Sequence, residues 1–299
     1  MARGERIGDY QLEHELVPGA LYRGVHSVLP RRALIKVARD ASESVAVLRE
    51  ACILAALPHP GIVRVYETGR FVDGRTWFAR EVVEGLTLAG TFVLGAIEPA
   101  VATSMIRDLA EVLAYAHQRG VIHGGITPEK LVVAGRNRGF PMCITDWSQA
   151  RTHDTQQAAS VEHSLYTAPE VATGGVIDDR IDVFALGVVA YRALTGELPF
   201  DGDDLVPAAE QSPKLPRELT SLIDQMLAYE RWDRPSAAEA RTELGRAAMA
   251  LATFKQDDVL AEPLRIRKPR WTPQVVVTPR ADTENDVGIL PGTRHDEND

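Results

Sequence analysis

The hydrophobic period of this chain changes once, near Gly85, and that single change removes most folds from consideration. From Tyr10 to about Val83 the apolar residues come in short runs of the kind strands use. Leu34-Ile35-Lys36-Val37 is one such run; Val63 to Tyr66 and Trp77 to Val83 are two more, with Asp73-Gly74 as a turn between them. One helix interrupts them. Ser42 or Ser44 supplies its cap, and Val47, Leu48, Ala51, Leu54 and Ala55 recur at helical spacing until Pro58-His59-Pro60. Beyond Gly85 the pattern is mainly helical. Pro99 opens a long helix with Ile106, Leu109, Val112, Leu113 and Ala116 on one face and Gly120 at its end. Further helices are predicted over about 180–195, 217–228 and 236–254. A small β-rich lobe (about 9–84) followed by a larger helical lobe (about 85–254) is an α+β, bilobal arrangement.

Composition narrows the function classes. Of the 299 residues 45% are hydrophobic and 25% charged, as in ordinary globular proteins, and the net charge of -9 disfavours nucleic acid and anionic membrane as partners. No stretch reaches the roughly 18 apolar residues of a membrane span. The run from Phe184 to Val189 reads as part of a buried helix. The N-terminus leads into no apolar run of signal-peptide type. Cys52 and Cys143 sit in apolar runs, which predicts two buried thiols and fits a reducing cytoplasm. After about Lys255 the periodicity is lost among prolines and a final acidic stretch, so 255–299 is expected to be a disordered tail. Its basic cluster, Arg265 to Arg270, reads as solvated linker.

Several motifs follow one another in a fixed order. Ala33-Leu34-Ile35-Lys36 comes first, then Arg49-Glu50-Ala51, His59-Pro60-Gly61-Ile62-Val63 and Glu81-Val82-Val83-Glu84-Gly85. His123-Gly124-Gly125-Ile126-Thr127-Pro128-Glu129-Lys130 is next, followed by Asp146-Trp147-Ser148, Ala168-Pro169-Glu170, the segment Ile181 to Val189, and Asp233-Arg234-Pro235. Together these resemble the Ser/Thr protein kinase family, especially its bacterial members, from about Tyr10 to Phe254. The resemblance implies a kinase-like bilobal fold. It also implies an ion pair between Lys36 and Glu50, a hinge at Val83 and Asp146 at the metal position. As framework it implies a buried Glu170–Arg234 pair and Asp182 accepting backbone hydrogen bonds beneath the loop that His123 opens.

The chemical parts depart from that family. Gly125 stands where the catalytic aspartate belongs, and Lys130 where the metal-binding asparagine belongs. Gly124 replaces the arginine that receives a phosphorylated activation loop, and His163 replaces a threonine that touches the catalytic aspartate. The glycine-rich loop is reduced to Leu16-Val17-Pro18-Gly19-Ala20-Leu21-Tyr22, and Asp201 to Pro216 leaves little room for the usual helix and its docking surface. Leu34 crowds the roof of the adenine pocket. Arg80, at the gatekeeper position, needs a carboxylate or water if it points inward. Lys36, Glu50 and Asp146 are expected to form a charge network bracing the helix of Glu50 against the core; a further alternative is that Lys130 directs its ammonium at Asp146 in place of magnesium.

The expectation is a catalytically impaired pseudokinase acting as a binding, scaffold or regulatory module, with no cofactor. The alternatives are a weakly active Ser/Thr kinase using ATP and magnesium, with Asp146 as metal ligand and Glu129 or water as base, and an ATP-sensing switch without turnover. Protein partners are expected: an active Ser/Thr kinase, and a forkhead-associated-domain protein reading phosphorylated Thr283 or Thr293, each followed three places on by an acidic residue. Thr152, Thr155 and Ser160 are further phosphorylation candidates.

Overall fold

The computed structural model describes residues 3–135, 138–152, 164–202 and 204–257. The predicted tail with Thr283, Thr293 and the basic cluster, and Thr155, Ser160 and His163, lie outside the described residues.

The N-terminal lobe is a six-stranded antiparallel sheet of β1 (Arg6–Ile7), β2 (Tyr10–Val17), β3 (Leu21–His26), β4 (Arg32–Val37), β5 (Val65–Arg70) and β6 (Thr76–Glu81), in the order β1-β2-β3-β4-β6-β5. Strand side chains alternate between faces, and this sheet uses both. Ala33, Ile35 and Val37 of β4 join Trp77 and Ala79 of β6 in a small core with Tyr10 and Tyr22. The even residues face the other way, where Leu34 pairs with Arg80 and Lys36 with Phe78. That second face carries α1 (Ser44–Ala56) and roofs the cleft between the lobes.

Two details of α1 correct the sequence reading. Neither Ser42 nor Ser44 caps it: the cap is Glu43, which makes no side-chain bond there. The Ser44 hydroxyl instead bonds the Asp40 and Gly74 carbonyls and accepts the Thr76 N–H, tying the helix to the β5–β6 turn. Cys143 is buried as expected, but Cys52 is exposed. The inner face of α1 is taken by Val47, Glu50, Ala51 and Leu54, and Cys52 falls on the opposite side with Val45 and Leu48.

The C-terminal lobe opens with β7 (Gly85–Thr87) and α2 (Leu88–Val93), then α3 (Pro99–His117), capped by Glu98 accepting from Ala100 N and Val101 N. The short strands β8 (Val121–Ile122), β9 (Leu131–Ala134), β10 (Met142–Ile144) and β11 (Arg151–Thr152) follow. They form a β10-β9-β7 sheet and a β11-β8 pair, with a 3-10 turn at Pro128–Lys130 between β8 and β9. α4 (Pro169–Ala172) leads to α5 (Arg180–Thr195), which is buried on all sides from Ile181 to Tyr191 and ends at Gly196, φ 85°. Among the described residues, the stretch expected to be short holds the pair β12 (Phe200–Asp201) and β13 (Asp204–Leu205) and the one-turn α6 (Ala208–Gln211). α7 (Arg217–Met226) and α8 (Ala237–Asp257) complete the lobe, with α8 packed on α3. One apolar core runs from α1 through α3 to α5.

A buried ion pair locks α4 to the segment before α8. Arg234, whose side chain is 0% exposed, donates to both carboxylate oxygens of Glu170 at 2.7 and 2.8 Å. It also donates to the Ala228 and Tyr229 carbonyls, and its guanidinium lies over the Phe184 ring. Removing one partner strands a buried charge at a cost of about 3–5 kcal/mol. Glu170→Ala is therefore expected to lower unfolding free energy by that amount in urea denaturation. A loss under about 1 kcal/mol, the value of a surface pair, contradicts the assignment.

Candidate functional site

The loop between β8 and the 3-10 turn is held from below. Asp182, at the start of α5, accepts from His123 N at 2.7 Å and Gly124 N at 2.8 Å, and lies 2.9 Å from His117 Nε2. Burial pushes the Asp182 carboxyl upward, but the hydrogen bond and charge of His117 and the His123 N–H outweigh it and hold the group below its ordinary range. His123 is buried too. Its Nδ1 accepts from Gly125 N at 3.2 Å, its ring meets Trp147 edge-on at 4.7 Å, and burial pushes its pKa down to about 4.

With the backbone fixed in this way, the tips of two flexible side chains lie where a side chain at 125 would start. A Cβ on Gly125 would lie 2.1 Å from Gln149 Oε1 and 3.1 Å from Lys130 Nζ. A Cβ at Gly124, where φ is +72°, would lie 3.2 Å from the Arg151 guanidinium. Gln149 and Arg151, from the segment after Asp146, thus fill the two positions the loop leaves open.

Asp146 sits among cations. Lys130 Nζ is 3.6 Å from its Oδ2, and Oδ1 accepts the Ser148 N–H at 3.1 Å. Burial raises the Asp146 carboxyl, but Lys36, Lys130 and Arg80, in that order, drive it far below the usual carboxylate range. Lys36 donates to Glu50 Oε2 at 2.6 Å, and the side chain of Glu50 is only 2% exposed. Burial opposes the Lys36 charge, yet Glu50 and Asp146 raise its pKa above the ordinary lysine value.

Arg80 points inward, being 9% exposed, and of the two partners the sequence reading allowed, a carboxylate or water, no carboxylate bonds it among the described residues. Its Nε and Nη1 are buried without a hydrogen-bond acceptor among the described residues. The neighbouring Glu81 is already committed, to Arg138 at 2.7 Å and to Arg64 N at 3.3 Å. Leu34, opposite Arg80, is buried, and Val83 is half-buried against the main core. At the β2–β3 hairpin Gly19 (φ 70°) donates its N–H to Glu15 Oε1 at 2.7 Å, so a carboxylate of the chain occupies a donor that a phosphate would need.

The residues sequence reasoning missed are Glu15, Gln149, Arg151 and Arg138. None falls in a recognised motif, and only their positions in space give them roles. Among the described residues, no three His, Cys, Asp or Glu side chains converge as a metal site.

A protein kinase domain model matches residues 19–243. The chain belongs to the protein kinase family. It is 32% identical over 263 residues to the serine/threonine-protein kinase pkn2 of Myxococcus xanthus, covering 79% of this chain and 32% of that protein. It is 33% identical over 233 residues to the serine/threonine-protein kinase PknB of Mycobacterium tuberculosis, covering 70% and 37%. The chain therefore spans about a third of the length of these relatives. Its fold matches the autoinhibited serine kinase domain of the giant muscle protein titin with a TM-score of 0.70 over 81% of each chain, at 21% identity. No described helix is long and apolar enough to cross a membrane.

Within this kinase fold the buried His123 makes stability depend on pH. The unfolded imidazole takes up a proton near pH ~6.5, whereas the folded one resists until about 4. The stabilisation is whole above about pH 6.5 and is lost as pH falls through that window, by up to about 1.4 kcal/mol per pH unit. Unfolding free energies measured from pH 7 to 4 should fall less steeply for His123→Asn, which keeps an acceptor for Gly125 N. Equal slopes for the two proteins contradict a neutral buried His123.

Proposed function

We propose that this chain is a pseudokinase: a kinase-fold module that binds protein partners in phospho-signalling and does not transfer phosphate. The observation that carries this reading is that position 125 is a glycine, without a carboxylate. A kinase needs a carboxylate there to accept the proton of the substrate hydroxyl. Here a glycine lies beneath the Gln149 carboxamide, with the Lys130 ammonium at hand.

The remaining residues do not fit a magnesium–nucleotide complex in the family's manner. The ammonium of Lys130, 3.6 Å from Asp146, stands at the second metal ligand's position and repels a cation. The hairpin donor that would cradle phosphate is closed by Glu15. What persists is framework: the Asp182 anchor, the Glu170–Arg234 pair and a continuous core. Binding surfaces need that framework, and phosphotransfer needs the parts that have changed. The expected partners, an active Ser/Thr kinase and a forkhead-associated-domain protein, belong to this proposal.

A weakly active kinase is the second reading. It draws support from the intact Lys36–Glu50 pair at 2.6 Å and from relatives named as serine/threonine kinases. Losing a positioned base lowers rate by about 10²–10⁴, which leaves room for slow turnover. Incubation with labelled ATP and magnesium or manganese separates the two. The pseudokinase reading predicts transfer to a generic protein substrate no greater than in Asp146→Ala; transfer that Asp146→Ala abolishes overturns it.

Restoring the base alone should not restore activity. The carboxylate of Gly125→Asp would meet Lys130 and pair with it, so the single variant stays inactive. Activity in that single variant, without a change at Lys130, contradicts the role given to the Lys130 ammonium.

A further inference from the structure

We propose that the cleft beneath β4 and β6 is a metal-free oxyanion site, in which Arg80, with Lys36 and Lys130, holds the phosphate of a small phosphorylated ligand or inorganic phosphate itself. The inference rests on the reading of the cleft as one without a magnesium–nucleotide complex and names what the cleft binds instead.

The first ground is the condition of Arg80. Its guanidinium is buried, and two of its nitrogens have no acceptor among the described residues. Desolvating a guanidinium without an acceptor is among the more costly things a fold can do. The neighbouring carboxylates do not answer it. Glu50 bonds Lys36 at 2.6 Å, Glu81 pairs with Arg138 at 2.7 Å, and Asp146 accepts from Ser148 N and lies 3.6 Å from Lys130. An acceptor supplied from outside completes the arrangement.

The second ground is charge and placement. Lys36, Arg80 and Lys130 carry three positive charges where Glu50 and Asp146 carry two negative ones, so one positive charge is left over. Cross-strand pairing puts Arg80 beside Leu34, on the same face of the sheet as Lys36. Arg80 lies near enough for its charge to act on Lys36 and on Asp146. A guanidinium presents a planar fork of N–H donors that matches two oxygens of a phosphate, and two ammonium groups beside it add strength without fixed geometry.

The third ground is size. A triphosphate needs a cradle at the hairpin, and Glu15 holds the Gly19 N–H there. Leu34 narrows the roof opposite Arg80. The site therefore suits one phosphate group better than a magnesium-bound chain of three, and the Lys130 ammonium removes the need for a metal.

The test is calorimetric titration of inorganic phosphate into the full chain at constant ionic strength, with a chelator present, alongside thermal melts. Wild-type protein should give saturable binding and a saturable rise in Tm that the chelator does not alter. Arg80→Leu should lose the binding by at least tenfold and, freed of an unpaired buried charge, melt no lower than wild type without phosphate. Glu81→Gln, outside the cluster, should bind phosphate as wild type does.

Absent or non-saturating binding to wild type overturns the proposal, as does equal binding to Arg80→Leu, which marks an adventitious ion only. Binding that the chelator abolishes overturns the metal-free assignment. Arg80→Leu melting well below wild type without phosphate contradicts an unpaired Arg80; Arg80→Lys, which keeps the charge but loses the fork, then still tests the site by its weaker phosphate binding. Phosphotransfer by wild type is a separate failure: it removes the pseudokinase reading, whereas silence toward phosphate removes only this one.

Discussion

The Asp182 carboxylate is the point on which the site is built. It is buried at the start of α5, where it takes the His123 and Gly124 N–H groups and faces His117. α5 is buried on all sides from Ile181 to Tyr191, so the loop above it inherits a rigid base. A loop fixed this firmly places position 125 and Lys130 at set distances from Asp146 whatever side chains they carry. The scaffold that serves phosphotransfer in a kinase is therefore present here, whatever stands at positions 125 and 130.

On the proposed reading, the cleft is an internal electrostatic network. In a kinase the aspartate at position 146 exists to hold a divalent cation. Here the charges of Lys36, Lys130 and Arg80 act on it together and outweigh its partial burial, which holds its carboxyl far below the usual range. Gln149 and Arg151 cover the backbone at Gly125 and Gly124, and Glu15 closes the hairpin. These substitutions reinforce one another. On the proposed reading, the cation beside Asp146 disfavours a metal and the glycine at 125 leaves that metal without a base to work with.

The large features were legible in the sequence because each rests on periodicity or on a motif with a packing reason. The change of period near Gly85 marks the division between β-rich and helical lobes, and Pro99 opens α3 where a proline at the first turn should. Glu170 and Arg234 meet as the kinase resemblance implied, and Lys130 lies against Asp146. Four things were not legible. The exposure of Cys52 depends on which face of α1 meets the sheet, and an alanine-rich helix specifies that face weakly. Ser44 was read as a cap, but the β5–β6 turn claims its hydroxyl. Arg80 was expected to need a carboxylate or water, and the local pattern could not show that the nearby carboxylates, Glu50, Glu81 and Asp146, were already engaged. Gln149 lies 24 positions from Gly125 in sequence, and only the turn of the chain after Asp146 brings them together.

The central claim is that an ammonium has replaced a metal ion at Asp146. Manganese binding, followed by electron paramagnetic resonance with and without ATP, tests this most directly. The account predicts no specific manganese signal for the wild-type chain and a new one for Lys130→Asn that Asp146→Asn abolishes. A tight wild-type manganese site, lost in Asp146→Asn, contradicts it.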